Sequence, residues 1–170
     1  MDAHVEALFL APEGSAPMEP RDAVEAVPGG LRGDRYYRGT GYYAPYDVCE
    51  VTLIDADALA RIREEAGIDL TDGRHRRNVV VRGADLRSLI DATVRVGGAL
   101  LRGTRPRPPC THVERLADES GVFEALGGGR GGICADVLEG GKIAVGDRLE
   151  LLEADPRTAG GRIADRLREE

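Results

Sequence analysis

The sequence predicts a mainly β fold, a small barrel or sandwich with two or three peripheral α-helices. Strand-like apolar runs are short and separated by glycine turns, which argues against a helical bundle. One stretch, ADALARIREEA at residues 56–66, has apolar residues at helical spacing between a capping residue and a stop. The chain has 170 residues and is 42% apolar, enough for one domain with its own core.

Residues 5–10 form an apolar run ended by Pro12, a first strand. Residues 11–33 are rich in Pro and Gly and predict a loop, with one short extended piece at Ala23–Val27. CEVTLI at residues 49–54 is rich in β formers. Asp55 then offers an N-cap, Leu59, Ile62 and Ala66 share one helical face, and Gly67 ends the helix. Residues 78–81 predict a buried strand, and residues 84–90 a turn or short helix. Residues 93–96 and 99–101 predict a hairpin around Gly97 and Gly98. Residues 105–109 hold three prolines and predict irregular backbone, because proline fixes φ and removes a donor. Residues 119–126 predict a short helix, residues 133–138 and 147–152 two strands joined through GGKIAVGD, and the tail from Thr158 an amphipathic helix bearing Ile163 and Leu167. The expected organisation is a single domain over residues 1–154 with a helical tail at 155–170.

The net charge is -7, but it is unevenly spread. Residues 74–112 carry nine arginines and only Asp85 and Asp91 against them, so the remainder of the chain is strongly acidic. That bulk field disfavours nucleic acid, while an arginine sector suits a small oxyanion. Arginine is also the habit of the whole chain, which holds a single lysine, Lys142. No apolar run reaches the ~18 residues of a membrane span, and MDAHVEALFL lacks the marks of a signal peptide. The expectation is a cytoplasmic protein without a membrane or nucleic-acid partner.

Three cysteines, Cys49, Cys110 and Cys134, show no CxxC or other zinc spacing. Cys49 and Cys134 sit in apolar runs and predict burial. Cys110 follows Pro108 and Pro109, near Arg105, Arg107 and His112, a setting that favours a thiolate. In extended chain, Cys110 and His112 would share one face. Such a sulfur can attack, carry a persulfide or bind a soft metal; the plain alternative is a small buried hydrophobe. Arg76, Arg77 and Asn78 stand before a strand, where polar groups can face a pocket or simply form a solvated turn. GGGRGG at residues 127–132 can cradle a phosphate with its backbone, although it lacks the ending of a P-loop. Asp34, Arg35 and Tyr36 begin a segment holding all five tyrosines within residues 36–46, suited to a pocket wall or lid, or to loop packing. Lys142 is the one candidate for an internal Schiff base, but it lies in a glycine turn and the chain is short for the usual pyridoxal-phosphate folds, so no pyridoxal phosphate is expected on it.

Six stretches together resemble the MOSC domain, the module named for the C-terminal part of molybdenum-cofactor sulfurases. They are GLRGDRYY (30–37), VTLIDADAL (51–59), RRNVVVRGADLRSL (76–89), VRVGGALLRG (94–103), PPCTHVERL (108–116) and RGGICADVLEGGKIAVGD (130–147). The resemblance implies a MOSC, pyruvate-kinase-barrel-like β-barrel with added helices, in a small standalone bacterial-type member without a pyridoxal-phosphate domain. It implies molybdenum-cofactor (molybdopterin) binding, with Cys110 as the molybdenum ligand and His112 beside it as a catalytic candidate. Arg76, Arg77, Asn78, Arg107, Arg130, Gly131, Gly132, Asp34, Arg35 and Tyr36 are the cofactor-pocket candidates.

The activity so implied is two-electron reduction of N-hydroxylated or N-oxide compounds, with a separate redox donor protein. The alternatives are sulfur carriage or sulfurtransfer through a Cys110 persulfide supplied by a cysteine desulfurase, or a non-catalytic module binding an anion or a partner. Some short relatives carry a second cysteine three residues earlier. Here that position is Arg107, which excludes a dithiol in this loop. The amidoxime-reducing relatives close their pocket with a longer N-terminal extension. Here the tyrosine-rich segment or a second subunit is expected to do so, in a monomer or homodimer.

Overall fold

The computed structural model describes residues 2–38, 49–109 and 111–154. Its strands are β1 (His4–Leu10), β2 (Glu19–Arg21), β3 (Ala23–Val27), β4 (Gly30–Leu31), β5 (Val51–Asp55), β6 (Val79–Arg82), β7 (Ala92–Val96), β8 (Ala99–Pro106), β9 (Ile133–Glu139), β10 (Gly141–Ala144) and β11 (Leu149–Ala154). The helices are α1 (Arg35–Arg38), α2 (Ala56–Ala66), α3 (Thr111–Ala117) and α4 (Val122–Ala125), with a 3-10 turn at Leu86–Leu89. The predicted tail, residues 155–170, lies outside the described residues.

Eight strands form one sheet in the order β11-β7-β8-β9-β5-β6-β1-β2, and three form a second, β10-β3-β4. All pairings are antiparallel except β5 with β6, which α2 connects as a crossover. The expected barrel is not found. β2 pairs with Leu8, Phe9 and Leu10 of β1, so only the start of β1 is left to meet β11. That meeting is a single bridge, His4 with Arg148, flanked by Val5 N donating to Asp147 O at 2.8 Å and Leu149 N to Ala3 O at 3.0 Å. The large sheet curls without closing.

Side-chain alternation divides the interior into two cores. Leu8, Leu10, Leu53, Val79 and Val81 point to one face, where they meet Val24, Leu31 and Ile143 of the small sheet. Phe9, Ile54 and Val80 point to the other, against Leu59 and Ile62 of α2, Val113 of α3 and Val122 of α4. Both faces of β5 and β6 are therefore covered, which is why these strands are buried along all but their last residue.

Helix α2 forms as its caps predict: Asp55 accepts from Asp57 N at 2.9 Å, and Gly67 takes the left-handed conformation with φ 71°. Helix α3 departs from expectation. The prolines before it hide a buried i, i+4 pair, Val113 and Ala117, that seats it on the second core. The helices thus number four among the described residues, of which α1 and α4 are single turns of 4 residues. Strand β8 also runs further than expected, with Arg105 opposite Cys134 and Pro106 opposite Ile133. A proline is tolerated there because the ladder is ending and its missing N–H leaves no gap.

Cys49 and Cys134 are 4% and 0% exposed, as their apolar runs predict. They are not independent hydrophobes, however. A disulfide joins them across a sequence separation of 85, with Cα atoms 5.5 Å apart.

Candidate functional site

Where β5 and β6 lie parallel, their starts are locked by polar groups. Thr52 N and Oγ1 donate to Asn78 Oδ1 at 3.1 and 3.0 Å, and Asn78 N donates back to Thr52 Oγ1 at 2.9 Å. Asn78 Nδ2 donates to Phe9 O at 3.1 Å and to Asp34 Oδ1 at 3.2 Å. Asp34 also accepts from Ala11 N at 3.1 Å and pairs with Arg35 at 3.1 Å, and Arg35 Nη2 donates to Arg76 O at 3.0 Å. Asp34, Arg35 and Asn78 are nearly inaccessible, at 0%, 3% and 0% exposure. These three cofactor-pocket candidates are brought together, but as a buried scaffold whose polar atoms face one another. Buried charges persist only when paired and hydrogen-bonded in this way.

The next two arginines hold loops. Arg76 takes a left-handed φ of 62°, unusual outside glycine, and its guanidinium donates to Ala16 O at 2.6 Å and Gly14 O at 3.0 Å. Arg77 reaches the other way. Its Nε donates to Gly131 O at 2.7 Å and its Nη2 to Arg107 O at 3.2 Å. One guanidinium therefore joins the proline arm to the glycine loop, and Arg107 N closes the link by donating to Gly132 O at 2.8 Å. At Gly131 a Cβ would collide with Arg107 O, so only glycine permits this approach.

Between arm and loop lies a cleft of about 250 Å³, bordered by Arg87, Arg107, Pro108, Pro109 and the backbone of Gly127–Gly129, Gly131 and Gly132. Tyr36 stands beside Arg107. Arg107 Nη2 donates to Tyr36 Oη at 2.6 Å, and the Arg35 guanidinium lies 4.4 Å from the Tyr36 ring centre. A larger cavity of about 590 Å³ between α2, β1 and β6 shares no lining residue with this cleft.

Cys110, the central candidate, lies outside the described residues, as do Tyr42, Tyr43 and Tyr46. The chain enters position 110 from Pro109 and leaves it as α3, so His112 stands in the first turn of a helix. His112 is helical and not extended; the expected Cys110–His112 face falls on Cys110 and so lies outside the described residues. His112 Nε2 lies 3.5 Å from Ser15 Oγ, and its pKa is lowered by burial first, then by Arg115 and Arg76. Arg130 is parted from Arg107: it pairs with Glu65 of α2 and borders a different cavity. Among the described residues, no three His, Cys, Asp or Glu side chains converge as a metal-binding group.

The residues missed by sequence reasoning are Thr52, His75 and Arg87. Thr52 and His75 pack beneath the RRN turn, and Arg87 borders the cleft; nothing in their local pattern marks them.

The MOSC domain model matches residues 46–150, more than half of the chain. The chain belongs to the MOSC domain family. This MOSC domain shares its fold with the YuaD protein of Bacillus subtilis, at a TM-score of 0.75 and 21% identity over 91% of this chain and 98% of that one. It also matches YiiM of Geobacillus stearothermophilus, at a TM-score of 0.70 and 18% identity over 89% of this chain and 75% of that one. YiiM of Escherichia coli gives a TM-score of 0.64 and 18% identity over 88% and 69% of the two chains. No curated protein matches the chain. Among the described residues no helix is long and apolar enough to cross a membrane.

Proposed function

We propose that this MOSC domain binds the molybdenum cofactor in the cleft between the proline arm and the glycine loop, with Cys110 as the sulfur ligand to molybdenum. The observation that carries the reading is the Arg77 tie. It sets two loops around a cleft lined by the residues that precede Cys110 in the chain.

The donor set fits the group. A cysteine thiolate suits a soft metal with sulfur ligands, and Arg107 with glycine backbone suits a phosphate. When bound, the cofactor supplies two-electron redox chemistry toward N-hydroxylated or N-oxide compounds, and a separate protein supplies the electrons. Arg107, braced by Tyr36, orients the anionic end. Reducing an N-hydroxyl or N-oxide group consumes protons and releases water, and His112, in the first turn of α3 and biased toward its neutral form, would relay a proton from solvent to the leaving oxygen.

The test is elemental analysis of protein purified from cofactor-replete cells. Wild type retains molybdenum and Cys110→Ser does not. Absence of the metal from both overturns the reading.

A further inference from the structure

The cavity of about 590 Å³ between α2, β1 and β6 is within the size range of small-molecule sites. Ala60, Arg63 and Glu64 border it together with Leu59, a spacing that places all four on one face of α2. Leu59 and Val80 are buried and, with Ala7 opposite Val80 in the ladder, make its apolar base. Asp57, in the first turn of α2, pairs with Arg82 at the end of β6. Helix α2 therefore runs back along β6, and Arg63 and Glu64 stand at the opposite end of the cavity from Arg82.

The two ends differ in how their charges are used. At one end Arg82 donates from Nη1 to Asp57 Oδ1 at 2.9 Å and from Nη2 to Glu6 Oε2 at 3.2 Å, so these groups satisfy one another. At the other end Thr71 is occupied, its N–H and hydroxyl donating to Asp69 Oδ1 at 3.0 and 2.6 Å. Arg63 attracts Asp69 only through space. Neither Arg63 nor Glu64 makes a side-chain hydrogen bond or ion pair among the described residues. One cation and one anion, adjacent in sequence, thus stand unspent at the end of an apolar base.

That pattern selects a ligand by charge complementarity. A carboxylate alone satisfies Arg63 and sets like charge against Glu64. An ammonium alone satisfies Glu64 and opposes Arg63. A head group that carries both charges on one carbon meets both, and its apolar substituent then lies along α2 over Leu59, Val80 and Ala7.

We propose that this cavity binds an α-amino acid with a large apolar side chain, its carboxylate on Arg63 and its ammonium on Glu64. The cavity shares no residue with the proline-arm cleft, and the inference stands independently of molybdenum binding.

Calorimetric titration of the whole chain with phenylalanine tests it, beside 3-phenylpropanoate and 2-phenylethylamine, which keep the ring and lack one charge each. Phenylalanine is expected to bind saturably, and each analogue about fivefold or more weaker. Arg63→Gln removes the preference for phenylalanine over the amine, and Glu64→Gln removes its preference over the carboxylate. Ala60→Phe, an exposed position whose new ring fills the cavity, abolishes binding with an unchanged circular dichroism spectrum. The proposal is overturned if phenylalanine does not bind saturably, or if either analogue binds as tightly, since the apolar base then acts without the two charges. Phenylalanine binding that survives Ala60→Phe also overturns it, because the ligand then sits elsewhere.

Discussion

His75 shows how one side chain organises the turn that carries Arg76 and Arg77. It is wholly buried, edge-on to Phe9 with ring centres 5.3 Å apart. Its Nδ1 accepts from Arg77 N at 2.8 Å, which leaves the proton on Nε2, and that nitrogen has no hydrogen-bond partner among the described residues. Burial first, then the neighbouring Arg77 and Arg76, lowers its pKa to about 3. The folded imidazole therefore stays neutral while the unfolded one titrates near 6.5. Below that pH the unfolded chain binds a proton that the native chain refuses, so stability falls with falling pH until about 3. The slope is about 1.4 kcal/mol per pH unit. In urea titrations, wild type should lose stability faster than His75→Gln between roughly pH 6 and 4. Parallel curves for the two proteins would show that His75 is not held neutral.

Among the elements, the links between segments matter more than the strands themselves. The Cys49–Cys134 disulfide ties the approach to β5 to the strand that leaves the glycine loop, closing a segment with a sequence separation of 85. Closing a loop of that size stabilises the fold by about 4–5 kcal/mol in the chain-entropy model. Urea unfolding with and without reductant measures it; identical midpoints would mean the bridge is not formed in solution. Arg77 performs a similar task without a covalent bond. It fixes the proline arm relative to the glycine loop just beyond the point where the β8–β9 ladder ends.

For the molecule as a whole, stability rests on a sheet covered on both faces. Ile54 is 0% exposed on the helix side, whereas Leu152, on β11 at the edge of the large sheet, is 47% exposed. Ile54→Ala should cost about 2–5 kcal/mol, and Leu152→Ala within about 0.5 kcal/mol of nothing. Equal losses, read from denaturant midpoints, would contradict the two-core arrangement. Much of this was legible beforehand. Residues 5–10, 49–54 and 78–81 announced strands because burial on one or both faces leaves an apolar imprint, and α2 announced both its ends through Asp55 and Gly67. Strand β2, with the sequence EPR, left no such imprint because all three residues are exposed.

The site was legible in part. The RRN turn, the proline arm and the glycine loop stand out as residue types, since charge, proline and glycine are visible at any position. Their division of labour is not visible, because a guanidinium donates equally well to a ligand or to a carbonyl. Only the folded chain turns Asp34, Arg35 and Asn78 inward, joins Arg77 to Gly131, and sends Arg130 away to Glu65. Sequence alone determined the family and the β-rich class, because these follow from patterns visible along the chain. Tertiary structure decided the open sheet, the cysteine bridge and the use of each arginine, because these depend on contacts between residues far apart in the chain.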